Sequence, residues 1–146
     1  MSYKGLFKPK HFEKYKGNPK TIVWRSKWEL KLMIWLDNSP EVIEWSSEEL
    51  RIPYISPKDS RIHQYFPDFW LTKKDKNGKI NTFIIEVKPA KQTRPPKIQT
   101  KQTRKYLTEV VLWGVNQAKF KAATEYCNKR EWKFIIITEN ELFGNK

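Results

Sequence analysis

Tyr65-Phe66-Pro67-Asp68-Phe69-Trp70-Leu71, a charged stretch, and then Phe83-Ile84-Ile85-Glu86-Val87-Lys88 decide how this chain is read. Both runs are rich in aromatic and β-branched residues, as strands are. Between them, residues 72–82 carry Asn77-Gly78 at their centre, the turn chemistry of a hairpin. The hairpin brings Asp68 beside Glu86. In an extended strand alternate side chains share a face, so Glu86 and Lys88 point one way with Ile84 deeper on that face, while Val87 points into the opposite layer. The charges therefore sit at the C-terminal mouth of the strand, where open α/β sheets bind ligands.

A third acid comes from the stretch Arg25-Ser26-Lys27-Trp28-Glu29-Leu30-Lys31-Leu32-Met33-Ile34-Trp35-Leu36. At about 100° per residue, Trp28, Leu32, Met33, Trp35 and Leu36 form one apolar stripe, and Glu29 falls inside it. Burying an unpaired carboxylate costs several kcal/mol, which a cation is able to offset. Each charge also has an ordinary reading: Asp68 as a turn residue, Glu86 and Lys88 as a solvated pair, Glu29 as a partner of Arg25. Charges that converge on one cleft favour a functional site.

With 146 residues the chain fits a single domain. Its 29 Lys plus Arg against 16 Asp plus Glu give a formal charge of +13, which calls for a polyanionic partner, nucleic acid first. No apolar run approaches the roughly 20 residues needed to span a bilayer, and no membrane partner is expected. The start Met1-Ser2-Tyr3-Lys4 lacks the apolar core of a signal peptide. The single cysteine, Cys127, excludes an internal disulfide and reads as a buried small hydrophobe. An intracellular, reduced protein is the expectation.

Along the chain, residues 1–20 read as a basic arm packing through Tyr3, Phe7, Phe12 and Tyr15, and residues 21–146 as one domain. A helix is predicted over Trp24–Asp37, stopped by Asn38-Ser39-Pro40. A connector with Val42, Ile43 and Trp45 leads to a strand near Leu50–Ile55, and a turn at residues 56–60 returns the chain to the Asp68 strand. Residues 88–105 hold Lys88, Lys91, Arg94, Lys97, Lys101, Arg104 and Lys105 with no acid, and Pro89, Pro95 and Pro96. Because this run begins at Lys88, phosphate contact is a better reading than a solvated loop. A helix over residues 102–130, broken near Gly114, places Asn116 and Lys119 at the margin and interior of its apolar face. Lys119 either snorkels or pairs with a carboxylate or phosphate. Lys133-Phe134-Ile135-Ile136-Ile137-Thr138 suits a strand covered on both faces. His63 reads as a core or DNA-facing residue near Asp68 and as a further site candidate, and no glycine-rich phosphate loop occurs.

Pro67-Asp68 followed by Glu86-Val87-Lys88 resembles the PD-(D/E)XK nuclease signature. That resemblance implies an α/β restriction-endonuclease-like core, a mixed central sheet flanked by helices. It implies Asp68, Glu86 and Glu29 as catalytic acids and metal ligands, the Val87 carbonyl as a further ligand, and Lys88 as the residue that orients the attacking water. Mg²⁺ is the ion expected, with Mn²⁺ as a substitute, since hard cations take oxygen ligands and there is no Cys/His cluster for zinc. Arg25, Lys91, Arg94, Lys97, Lys101, Asn116 and Lys119 are the residues expected to bind DNA.

Longer matches, Arg25-Ser26-Lys27-Trp28-Glu29, Trp45-Ser46-Ser47-Glu48, Ile52-Pro53-Tyr54, His63-Gln64-Tyr65-Phe66-Pro67-Asp68-Phe69 and Glu86-Val87-Lys88-Pro89, resemble the head completion nucleases of large contractile-tailed phages. The catalytic core is also similar to TnsA-like transposon endonucleases. The phage resemblance implies a virion protein, present in virion and host cytoplasm, that trims DNA ends after packaging and before tail joining. Double-stranded DNA, portal or neck proteins and a second copy on DNA are the partners it suggests. Two alternatives stand beside it: a DNA-binding plug or adaptor at the head portal with little cleavage, and a transposon-end endonuclease.

Overall fold

The computed structural model describes residues 4–144; Tyr3 of the expected arm lies outside them. Four strands make the central sheet, in the order β3 (Val42–Ser47), β6 (Phe69–Lys74), β7 (Ile80–Val87) and β8 (Lys133–Ile137). The first three are antiparallel neighbours, while β8 runs parallel to β7. The parallel pair is joined by α2 (Arg104–Lys129), because parallel strands need a long crossover. This is the mixed sheet flanked by helices that the sequence predicts.

Period two sorts the core. Ile85 of β7 joins Phe69, Leu71 and Trp45 with Leu32, Met33 and Leu36 of α1 (Lys27–Asn38) in one cluster. Its neighbour Ile84 points to the other face and packs with Ala123 and Cys127 of α2. The β6–β7 hairpin turns at Asp75–Lys79, where Asp75 Oδ1 accepts the amides of Asn77 and Lys79. Gly78 there has φ +80°, a conformation that side-chain-bearing residues seldom adopt.

Several expectations need correction. The connector containing Val42, Ile43 and Trp45 is β3 itself, paired with β6. The strand at Leu50–Ile55 is β4 (Ile52–Ile55), which among the described residues pairs with β5 (Ile62–Tyr65) in a separate hairpin and not with the central sheet. The run from Tyr65 to Leu71 is therefore two strands, broken at Phe66-Pro67-Asp68. Helix α1 starts at Lys27 rather than Trp24, because Ser26 caps it through a bond from the Glu29 amide at 3.1 Å, and Val23–Trp24 is β2, paired with β1 (Gly5–Leu6). Trp35 leaves the stripe, 42% exposed, and lies under the Lys73 ammonium. Helix α2 is unbroken at Gly114. Strand β8 is an edge strand, and Ile135 is exposed rather than covered on both faces.

The basic N-terminal segment is built into the fold. Phe7 and Tyr15 are core residues, packed edge-on against Trp45, whereas Phe12, expected to pack, is exposed. Lys14 Nζ donates to the carbonyls of Leu36, Asp37 and Ser39 at 2.8–2.9 Å, filling acceptors that the end of α1 leaves open. Asp37, buried, accepts the amides of Lys10 and His11. Among the described residues no helix is long and apolar enough to cross a membrane.

Candidate active site

The register that pairs Phe69 with Ile85 sets Asp68 at the end of β7, next to Glu86 and Val87. Asp68 Oδ2 accepts the Val87 amide at 2.7 Å. Glu86, buried, accepts the Tyr65 hydroxyl on Oε1 at 2.6 Å, and its Oε2 lies 3.6 Å from Lys88 Nζ. Lys88 thus shares the face of Glu86, as alternation requires, while the Val87 side chain packs with the α1-side cluster.

Electrostatics mark the site. Burial, then the neighbouring Glu86 charge, pushes the Asp68 carboxyl up to about 8, against the opposing effect of the Val87 amide. Glu29 and Glu48 push it the same way. Burial also raises Glu86, opposed by the Tyr65 bond and by the charges of Lys88 and Lys119. Burial raises Glu29 as well. Like charges forced together out of water are the condition that a divalent cation relieves.

The donor set fits such an ion. Among the described residues no three acidic, His or Cys side chains stand close enough to enclose a cation unaided. Asp68 and Glu86 offer carboxylate oxygens, and one or two carboxylates completed by water and substrate phosphate is the way Mg²⁺ is commonly held. Glu29 makes no bond to this pair. Its contacts are long ones to the Arg25 amide, 3.4 Å, and the Ser26 hydroxyl, 3.5 Å, and its charge reaches Asp68 through space.

Of the residues expected to bind DNA, Arg25 is engaged by the Glu48 carboxylate. Lys91, Arg94, Lys97 and Lys101 are exposed along the segment that leaves Lys88. Asn116 is half-buried on α2. Lys119 lies over the rings of Tyr54 and Tyr65, on the Glu86 side. His63 is not a core residue: it sits exposed on the β4–β5 hairpin, with Nε2 2.8 Å from Asp59.

Two neighbours of the site escape the sequence reading. Tyr65 carries a hydroxyl that pattern alone cannot separate from aromatic filler. Glu48 follows β3 with φ +53°, and its amide donates to the Asp68 carbonyl at 3.2 Å. Its place at the end of a strand is the signal that would find it, and that signal is silent while residues 42–47 read as a connector.

The family model for the TnsA-like endonuclease N terminal matches residues 39–139, a span that includes Glu48, Tyr65, Asp68, Glu86, Lys88 and Lys119. The chain is also 41% identical, over 97% of its own length and 95% of the relative's, to the head completion nuclease of Enterobacteria phage T4. A match over this much of both chains, with Asp68, Glu86 and Lys88 inside the matched span, means that the chain belongs to the TnsA-like endonuclease family.

Proposed function

We propose that the chain is a divalent-cation-dependent DNA nuclease of the PD-(D/E)XK type that trims the ends of packaged phage DNA during head completion, before tail joining. The observation that carries the chemistry is the convergence of Asp68, Glu86 and Lys88 at one end of the sheet, with Glu86 buried, Asp68 half-buried and both acids shifted upward. The biological setting rests on the T4 relative.

Asp68 and Glu86 hold the cation, Mg²⁺ with Mn²⁺ as substitute, with the Val87 carbonyl as a further ligand and Glu29 acting directly or through water. The bound ion supplies charge neutralisation at the scissile phosphate and lowers the pKa of the attacking water. Lys88, held near Glu86, orients that water and offsets phosphate charge. Lys91, Arg94, Lys97 and Lys101 bind the phosphates flanking the cut, and Arg25, Asn116 and Lys119 line the approach. Residues 21–146 carry the nuclease site, and the basic 1–20 segment packs against them through Phe7, Lys14 and Tyr15. A double-strand cut takes two such sites, hence two copies on DNA, countable by mass measurement on a duplex. The setting places the protein in the virion, against portal or neck proteins, and in the host cytoplasm before assembly.

The test is incubation with linear duplex DNA in Mg²⁺ or chelator, beside Asp68→Ala and Lys88→Ala. Metal-dependent degradation lost in both variants is expected. Salt-sensitive binding without cleavage in Mg²⁺ or Mn²⁺ would overturn the nuclease reading in favour of a DNA-holding adaptor.

A further inference from the structure

Tyr65 is 4% exposed, and its hydroxyl is spent on one partner, Oε1 of Glu86, at 2.6 Å. Its ring is core, edge-on to Phe120 and packed in the cluster of Ile84, Ala123 and Cys127. Phe would fill that volume equally well. The hydroxyl therefore needs its own explanation, because a buried polar group is costly unless bonded.

The bond acts on how Glu86 presents itself. An O–H to carboxylate contact of this length is charge-assisted; it draws charge from Oε1 and pins the rotation of the carboxylate. Tyr65 comes from the β4–β5 hairpin, whose strands pair through the backbone with each other and not with the central sheet. The hairpin is held by α2, where the Lys119 ammonium lies 5.7 Å from the Tyr65 ring. Oε2, beside Lys88, is the oxygen left for a ligand. Ca²⁺ accepts six to eight oxygens and often takes both from one carboxylate, whereas Mg²⁺ demands an octahedron with single-oxygen donors.

We infer that Tyr65 is a specificity-determining positioning residue: by occupying Oε1 it makes Glu86 a one-oxygen donor and tilts the site toward Mg²⁺ and away from Ca²⁺. The inference rests on reading Asp68 and Glu86 as cation ligands.

The test needs no cleavage. Melting temperature measured against MgCl₂ and against CaCl₂, without DNA, gives a dissociation constant for each ion through the stabilisation each confers. Wild type is compared with Tyr65→Phe, which keeps the ring, and with Phe120→Leu, which loosens the packing but keeps the hydroxyl. In Tyr65→Phe the ratio of the two constants is expected to move about tenfold toward Ca²⁺, the scale of one hydrogen bond to a charged group; in Phe120→Leu it stays at the wild-type value. A wild-type ratio in Tyr65→Phe, even with both affinities altered together, overturns the inference and leaves the ligand reading standing. A wild type that gains no stability from either ion overturns both.

Discussion

Asp68 Oδ2 accepts the main-chain amide of Val87 at 2.7 Å, so the acid that opens β6 is fixed to the backbone that closes β7. An asparagine can accept that bond equally well but carries no charge to clash with Glu86. Asp68→Asn is therefore expected to raise the melting temperature in chelator by a few degrees, the shift that about 1 kcal/mol produces in a domain of this size. Cleavage should fall by at least about 100-fold, since a cation ligand worth several kcal/mol at the transition state is lost. A variant both less stable and fully active would contradict the assignment.

The same crowding makes stability depend on pH. A carboxyl held at about 8 in the fold, against roughly 3.9 when unfolded, makes the native state bind the extra proton. Unfolding free energy therefore falls as pH rises. Without cation, the contribution is intact below about pH 4 and lost as pH passes about 8. Added Mg²⁺ should flatten the decline, because it takes the proton's place. Urea melts from acid to mildly alkaline pH, with and without Mg²⁺, check this; a cation-free stability that climbs across the window would refute it.

Asp68, Glu86 and Lys88 are legible in the sequence because a hairpin with Asn-Gly at its turn fixes register and period two fixes the face. Strand β3 is not, since its register shifts between Val42 and Glu44 and breaks the alternation a strand is recognised by. Glu48 adopts a left-handed backbone without being glycine, which no residue type announces. The partners of Tyr65 and Lys14 lie 21 or more positions away in sequence. Such contacts follow from tertiary packing and leave no local period behind.

That packing gives the N-terminal segment a structural duty. Lys14→Met strips three carbonyls at the end of α1 of their donor and should cost about 1–3 kcal/mol. Deleting residues 1–20 should cost more, because it also removes Phe7 and Tyr15 from the core and leaves the buried Asp37 without the Lys10 and His11 amides. Urea denaturation measures both. A deletion as stable as the full chain would make the segment a detachable arm.

The exposed cations after Lys88 should act on binding rather than on chemistry. Lys91, Arg94, Lys97 and Lys101 reach solvent, and none is among the groups that shift Asp68 or Glu86. Changing all four to Ala is expected to weaken DNA binding at low salt and to reduce the slope of log affinity against log salt by about 0.9 for each phosphate no longer neutralised. At saturating DNA the cleavage rate should hold, because Lys88 and both acids are untouched. Lys88→Ala should do the reverse, with a small change in slope and a large loss of rate. If the fourfold variant keeps the wild-type slope, the segment is a solvated loop, and phosphate binding must come from the Arg25 and Lys119 sides of the site.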